Sequence, residues 1–303
     1  MRRWSDSIRP SDRAPATGVL NWSDECRSWP NAAASRFHQA AGLRWHVQQM
    51  GKGPSLLLVH GTGASTHSWR ALAPLLAEQF TVTAMDLPGH AFTQCPPRRR
   101  LSLTGMAEAV AELVESLQIK PTLVVGHSAG AAILIRCCLD QTLSPASVIS
   151  LNGALLPFGG AAGVLFPRLA RLLFLNPLTP RILARSAANR DRVVRLIRGT
   201  GSELDAEGIE LYARLFASPD HVAAALGMMA NWDLHRFERD LPNFRRPLHL
   251  IAGDKDKAVD IGDAERVAQM VDAARLVRLG GLGHLAHEED PCAVAGLIFD
   301  LAR

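Results

Sequence analysis

Ser128 is the residue of this sequence whose surroundings most favour nucleophilic chemistry. It lies between Gly126 and Gly130 in the stretch LVVGHSAGAAI, residues 123–133. A G-x-S-x-G pentapeptide is short enough to occur by chance, so its meaning depends on its context. The apolar run before it and the small apolar residues after it predict a buried strand that turns directly into a buried helix. Such a turn points the serine oxygen at the open end of a sheet, which predicts a nucleophile.

A nucleophile of this kind needs a site that accepts the negative charge of a tetrahedral intermediate. The strand SLLLVHG ends in a glycine-rich turn, residues 60–63, in which the backbone N–H of Thr62 can face a pocket. A second N–H, that of Ala129, begins the helix after the serine, where the helix dipole favours negative charge. The two donors predict an oxyanion hole. The alternative is a plain glycine turn with no ligand.

The base and the acid are expected at the ends of later strands. After PLHLIAG come Asp254 and Asp256; Asp254 follows the glycine directly and is expected to hold the turn, so Asp256 is the predicted acid. His284 follows the glycine-rich turn LGGLGH and is the predicted base. His287 precedes three acidic residues and is expected to be a helix-start or surface histidine. In these roles Ser128 attacks, His284 moves the proton, and Asp256 fixes the imidazole tautomer.

The elements that must position these residues alternate between strand and helix. Buried apolar runs of strand length are separated by amphipathic segments of helical length. This order predicts an α/β fold with a mostly parallel central sheet covered by helices on both faces. Ligands of such sheets bind at the carboxyl ends of the strands. The first piece of the pattern is expected to be a hairpin that turns at Ala41 and Gly42.

Composition restricts the class of protein. Apolar residues make up 48% and charged residues 20% of 303 residues, as in ordinary globular proteins. No apolar run reaches the ~18 residues that span a bilayer, and the N-terminus does not look like a secretory signal. Five cysteines form neither a disulfide framework nor a metal-ligand spacing. We therefore expect a cytoplasmic protein with no resident metal or organic cofactor and no nucleic-acid partner.

The segment from about residue 35 to the C-terminus resembles the α/β-hydrolases with a helical cap. The motifs that carry the resemblance are HGTG at 60–63, DLPGH at 86–90, GHSAG at 126–130, GDKD at 253–256 and GHLAHEEDP at 283–291. The order Ser128, Asp256, His284 is that of the α/β-hydrolase triad. One departure is Ala91, where related hydrolases usually have glycine after DLPGH. That loop is expected to lie away from the triad.

A narrower resemblance concerns residues 29–93. This run is similar to the magnesium-chelatase accessory hydrolases of bacteriochlorophyll biosynthesis, the BchO type. The resemblance implies a pathway, magnesium insertion into a tetrapyrrole, more than a reaction. It implies a tetrapyrrole as a substrate and magnesium-chelatase subunits as partners.

The pattern predicts three parts. Residues 1–33 are expected to be a loosely packed polar arm, residues 34–156 and 233–303 the α/β-hydrolase core, and residues 157–232 a helical cap insertion. The expected pocket residues besides the triad are His60, Trp69, His127, Asn231 and Trp232. For Trp69, packing in the core is the alternative.

The first part of the cap, residues 157–200, is strongly basic. It has eight arginines, no lysine and one acid, a net charge of +7, while the whole chain carries +4. The arginines are Arg168, Arg171, Arg181, Arg185, Arg190, Arg192, Arg195 and Arg198. Interleaved with Leu, Ile, Val and Phe, they suit an anionic membrane surface, to which the protein would be peripheral, or a large apolar ligand that carries carboxylates. The alternative is an ordinary cap with solvated arginines.

Two functions of different class follow. The first is a serine hydrolase that acts on an ester or related acyl bond, linked to magnesium-tetrapyrrole biosynthesis. The second is a non-catalytic carrier or accessory protein that binds a tetrapyrrole for magnesium chelatase. An intact Ser/His/Asp set favours the first, because a carrier needs no such set.

Overall fold

The computed structural model describes residues 20–157, 176, 178–187 and 189–302. Eight strands form one sheet in the order β1-β2-β4-β3-β5-β6-β7-β8. The strands are β1 (Ser35–Ala40), β2 (Leu43–Met50), β3 (Ser55–Val59), β4 (Thr81–Met85), β5 (Leu123–His127), β6 (Ser147–Leu151), β7 (Leu248–Gly253) and β8 (Ala274–Leu279). The pairs β1–β2 and β2–β4 are antiparallel and every later pair is parallel. The predicted α/β-hydrolase architecture is therefore confirmed.

Helices cover both faces of the sheet. On one face lie α3 (Leu103–Ser116), α4 (Ala129–Leu139), α9 (His235–Asp240) and α10 (Ile261–Met270), and on the other α2 (Leu72–Leu76) and α12 (Pro291–Leu301). The strands alternate between the two cores: Leu57 and Val59 of β3 face the first, Leu56 and Leu58 the second. This alternation follows from the two-residue period of a strand, and it explains why β3 is apolar throughout.

The predicted hairpin is present. Strand β1 pairs with β2 through a two-residue turn in which Ala41 has φ 54° and Gly42 has φ 70°. Two positive φ values in succession are those of the type I′ turn, whose twist matches that of the strands. The register pairs Ala40 with Leu43 and Ser35 with Gln48.

Between β6 and β7 the chain leaves the sheet and forms the helices of the cap. The described cap helices are α5 (Thr179–Ala187), α6 (Arg190–Gly199), α7 (Ala206–Phe216) and α8 (Pro219–Ala230). The helices α5, α6 and α7 pack around Ile197, Ile209 and Tyr212, and α8 contacts α5 and α7. Arg168 and Arg171, two of the arginines of the predicted basic segment, lie outside the described residues.

The described part of the predicted N-terminal arm contacts the rest of the protein, and the arm as a whole stays a prediction. Residues 20–33 contain a short helix, α1 (Trp22–Glu25), and Trp29 is buried against Phe92 with a ring-centroid distance of 4.8 Å. Arg214 of α7 also pairs with Glu25 at 3.2 Å. Although the arm is polar in overall composition, its tryptophans supply the large apolar surface with which it packs on the core.

Candidate active site

Ser128 lies at the sharp turn between β5 and α4. Its backbone has φ 51° and ψ −119°, a conformation that costs a non-glycine residue about 1–3 kcal/mol. The small residues around it permit this turn. A Cβ on Gly126 would lie 2.5 Å from Ala131 Cα, and one on Gly130 would lie 2.2 Å from the Val59 carbonyl oxygen. The context on which the serine prediction depended is therefore present.

Asp256 and His284 form an ion-pair geometry at the ends of β7 and β8. The distance from His284 Nδ1 to Asp256 Oδ2 is 2.8 Å, and Asp256 Oδ1 accepts hydrogen bonds from the N–H groups of Ala258 and Val259. Burial by itself raises the pKa of Asp256, but the hydrogen bond and charge of His284 outweigh it, so the pKa is lowered. The carboxylate is thus held ionised, and with His284 Nδ1–H donating to it, the basic nitrogen of His284 is Nε2.

Asn152 is a contributor that the sequence analysis missed. It follows β6 with φ 47°, and its Nδ2 donates to Asp256 Oδ2 at 2.8 Å. Asn-Gly directly after a buried strand, at the edge where ligands bind, was the signal that could have found it. Asn152 therefore holds the acid from the neighbouring strand.

His127 contacts the backbone and the ring of the predicted base, His284. Its Nε2 donates to the His284 backbone carbonyl at 2.9 Å, and the two rings lie 4.7 Å apart. Burial, and then the neighbouring His284 charge, lower the pKa of His127 to about 3. A neutral His127 does not compete for protons with the residues in front of it.

The glycine loop lies close to the serine. A Cβ on Gly61 would lie 2.9 Å from Ser128 Cβ, so only glycine fits there. Among the described residues, no group accepts a hydrogen bond from the N–H of Thr62 or of Ala129. Two free backbone donors beside a strained serine are what an oxyanion hole requires. Ser128 Oγ makes no hydrogen bond to His284 in the described residues. Hydrogen bonds between a nucleophile and its base often form fully only when substrate binds.

Three of the predicted pocket residues are buried structural groups. His60 is fully buried, with Nδ1 donating to the Gly61 carbonyl and Nε2 accepting from the Leu87 N–H, so it holds the glycine loop in place. Trp69 is fully buried in the core beside α2. Its ring lies 4.6 Å from that of His287. His127 is 2% exposed. These three side chains have almost no accessible surface, so their part in a pocket stays a prediction beside the structural contacts they make here.

The two remaining pocket candidates lie at the end of α8. Asn231 is exposed, and its Nδ2 donates to the Gly227 carbonyl. Trp232 is half-buried against the core. Their part in a pocket stays a prediction.

His287 and Asp254 have contacts that differ from those of the predicted base and acid. Asp254 was expected to hold its own turn; instead its Oδ1 accepts from the Gly281 N–H at 2.7 Å, in the glycine turn that precedes His284. His287 begins a short helix, α11 (Ala286–Glu289), but it is 1% exposed, so the alternative of a surface histidine is wrong. Its Nε2 donates to Ser68 Oγ at 2.9 Å.

With this geometry in place, the comparison with known families is decisive. A model described as "Alpha/beta hydrolase family" matches residues 56–297. The chain belongs to the alpha/beta hydrolase family. The matched range includes both glycine turns, the serine turn, the cap, and the acid and base loops.

Two known proteins are similar to this chain over most of its length. The "Magnesium-chelatase 30 kDa subunit" of Rhodobacter capsulatus is 39% identical over 90% of this chain and 96% of its own length. The "Pimeloyl-[acyl-carrier protein] methyl ester esterase" of Methylococcus capsulatus is 29% identical over 72% of this chain and 83% of its own. The resemblance inferred from residues 29–93 is thus confirmed.

A solved structure supports the fold independently. An alpha/beta hydrolase fold protein from Burkholderia ambifaria superposes with a TM-score of 0.74, over 88% of this chain and 97% of its own, at 22% identity. At that identity the likeness concerns the fold alone.

The described residues contain no group of three or more His, Cys, Asp or Glu side chains that could hold a metal ion. In the same residues no helix is long and apolar enough to cross a membrane.

Proposed function

We propose that this protein is a serine hydrolase that acts on an ester or related acyl bond. The observation that carries the proposal is the Asp256–His284 contact of 2.8 Å at the same edge of the sheet as the strained turn of Ser128. Ser128 Oγ attacks the substrate carbonyl carbon, and His284 Nε2 takes the hydroxyl proton. The N–H groups of Thr62 and Ala129 stabilise the oxyanion.

The second half of the reaction uses the same groups. His284 returns the proton to the leaving group as the tetrahedral intermediate collapses and the bond between the carbonyl carbon and the leaving group breaks, which leaves an acyl–serine; Asp256 stabilises the imidazolium in between. A water molecule, deprotonated by His284, then attacks the acyl carbon, the bond to Ser128 Oγ breaks, and His284 returns the proton to Oγ as the acid is released. One relative is named as a methyl ester esterase, which agrees with this class of bond.

For the pathway, we propose magnesium-tetrapyrrole (bacteriochlorophyll) biosynthesis in the cytoplasm, with a tetrapyrrole ester as substrate and magnesium-chelatase subunits as partners. The support is the 39% identity, over nearly the whole of both chains, to a protein named as a magnesium-chelatase subunit. The arginines of the cap suit the carboxylates of such a ligand.

Labelling with a fluorophosphonate probe tests the proposal. The probe reacts with a serine that a base activates and an oxyanion hole supports. We expect labelling of Ser128 at neutral pH, located by mass spectrometry, and none in Ser128→Ala. His284→Gln should slow labelling by about 10³-fold or more, since each triad member is needed for activation. The matched variant His287→Gln should leave most of the labelling.

Two results would contradict the proposal. Absence of labelling in the folded wild-type protein, together with binding of a porphyrin carboxylate, would favour a carrier. Labelling that survives His284→Gln and disappears in His287→Gln would show that the other histidine is the base.

A further inference from the structure

The exposed sides of α5 and α6 hold an unusual set of side chains. Four large hydrophobic side chains are exposed in the described part of the chain, and all four lie here: Leu178 (57%), Ile182 (60%), Leu183 (39%) and Leu196 (55%). Elsewhere in that part, large apolar side chains are buried or half-buried. A concentration of this kind marks an interaction surface.

Arginines surround these four residues. Arg181 and Arg185 lie one turn apart on α5, and Arg192 and Arg195 lie on α6 beside Leu196. Arg181, Arg185 and Arg195 are exposed, and no group of the described residues pairs with them. Within the part of the chain that the structure describes, no counter-charge occupies them, so their charge is available to a partner. We call these eight residues, Leu178, Arg181, Ile182, Leu183, Arg185, Arg192, Arg195 and Leu196, the basic–apolar face.

The two helices present this face together. Arg192 of α6 donates a hydrogen bond to the Ser186 hydroxyl of α5, which ties the helices side by side. Leu183 and Leu196, one from each helix, line the same cavity of about 390 Å³. Its lining also includes Ser186 and Arg192 of the same two helices, and apolar side chains of α7 and α8, among them Phe216 and Met229. The leucines of the face thus form part of the rim of an apolar cavity.

We propose that the basic–apolar face docks on an anionic membrane surface. Guanidinium groups bind lipid phosphates in a bidentate manner and are weakly hydrated, so they suit the headgroup level. The aliphatic side chains between them can enter the boundary with the acyl chains, as in helices that lie in a membrane interface. Docking would place the mouth of the cavity against the lipid.

The composition of the face favours a membrane over a protein partner. Protein interfaces gather aromatic residues at an apolar centre with a polar rim. The basic–apolar face has no aromatic residue and consists of four arginines and four aliphatic side chains. Its charge is local, because residues 157–200 carry +7 and the rest of the chain nets −3. The proposal goes beyond the proposed function and does not depend on the reactivity of Ser128.

Sedimentation of the full-length protein with vesicles tests the proposal. We expect binding to phosphatidylcholine vesicles that contain about 30% phosphatidylglycerol, none to pure phosphatidylcholine, and weakening by salt. The triple variant Arg181→Gln, Arg185→Gln, Arg195→Gln should bind on the order of 100-fold more weakly, since each arginine near the surface contributes about fivefold. Ile182→Ser should weaken binding about tenfold through the lost apolar contact.

A second triple variant is the charge-matched control. Arg36→Gln, Arg236→Gln and Arg275→Gln remove the same charge from exposed positions on β1, α9 and β8. We expect this control to bind vesicles nearly as the wild type does. Both triple variants should keep the wild-type circular dichroism spectrum, because all six arginines are exposed.

Three results would overturn the proposal. The first is no binding of the wild type to the anionic vesicles at low salt. The second is an equal loss in both triple variants, which would mean that net charge alone drives binding. The third is a loss in the cap variant of binding to a soluble porphyrin carboxylate with vesicle binding unchanged, which would make the face a ligand site. None of these depends on fluorophosphonate labelling, so the two proposals fail separately.

Discussion

At the scale of single residues, two aspartates of the loop after β7, Asp254 and Asp256, have different hydrogen-bond partners although they are only two positions apart. Asp256 Oδ2 contacts His284 Nδ1 and Asn152 Nδ2, whereas Asp254 accepts from the Gly281 backbone. The sequence analysis assigned Asp256 as the partner of the histidine because Asp254 follows the glycine directly. The contact between Asp256 and His284 is present. The catalytic role of Asp256 is part of the proposed function.

A pair of substitutions tests that role. Asp256→Asn should lower the rate of fluorophosphonate labelling by about 10⁴-fold, because an amide can donate to His284 Nδ1 and so favours the wrong tautomer. Asp254→Asn should leave the rate within about twofold, since an amide oxygen still accepts from the Gly281 N–H. Equal effects of the two substitutions would contradict the assignment.

At the scale of elements, a buried polar cluster joins the cap to the core. Glu288 of α11 accepts from the Tyr212 hydroxyl of α7 at 2.8 Å and from Ser68 Oγ at 2.6 Å, and Arg70 also donates to it. Burial raises the pKa of Glu288 more than these donors lower it. Every donor therefore matters for keeping a buried carboxylate in place. Tyr212 is the single tyrosine of the chain, and nothing in its sequence context marks it.

Removal of the tyrosine hydroxyl tests this connection. Tyr212→Phe should lower the free energy of unfolding by about 1.5–3 kcal/mol, the usual contribution of a hydrogen bond to a charged group. The control Glu210→Gln breaks a half-exposed pair with Arg214 on the same helix and should cost less than about 0.5 kcal/mol. Urea unfolding measures both. If Tyr212→Phe costs no more than the control, the cluster does not hold the cap.

At the scale of the whole molecule, buried histidines are the unusual feature. Eight of the eleven histidines are buried. Burial is the largest cause of a lowered pKa in six of them: His60, His67, His90, His127, His221 and His287. The pKa of His221 falls to about 4 because of burial. His221 lies on α8, and its ring accepts a hydrogen bond from the Ala91 N–H and donates one to the Gly63 carbonyl.

These pKa values predict how stability depends on pH. In the unfolded chain each histidine takes up a proton near pH 6.5, whereas in the folded chain it stays neutral to lower pH. The free energy of unfolding should therefore be constant above about pH 7.5 and fall as the pH drops below 6.5, by up to about 1.4 kcal/mol per pH unit for each histidine. For His221 this continues to about pH 4 and for His127 to about pH 3.

Urea unfolding at pH 7.5, 6.5 and 5.5 measures this dependence. We expect most of the loss between the two lower values. The loss should persist in high salt, because the histidines are buried and salt screens exposed charges. Equal stability at pH 7.5 and 5.5 would show that these histidines take up protons in the folded protein as readily as in the unfolded chain.

The sequence by itself determined the features that depend on short stretches of chain. The order of strands and helices, the hairpin at Ala41 and Gly42, and the serine turn all follow from local periodicity and from glycines where a side chain would clash. The contact of Asp256 with His284 could be predicted because parallel strands end at one edge of the sheet. A residue that directly follows one of these strands must therefore lie at that edge, close to the residues that follow the neighbouring strands.

Only the tertiary structure decided which polar residues face a site and which are buried behind it. His60, Trp69 and His127 have the same local signals as pocket residues, but they are buried against side chains from other parts of the chain, His90 beside His60 and His287 beside Trp69 and His127. Asn152 and Tyr212 gain their roles from partners 104 and 76 residues away. Burial and hydrogen-bond partners are properties of the packed chain, since they depend on elements that pattern alone cannot bring together.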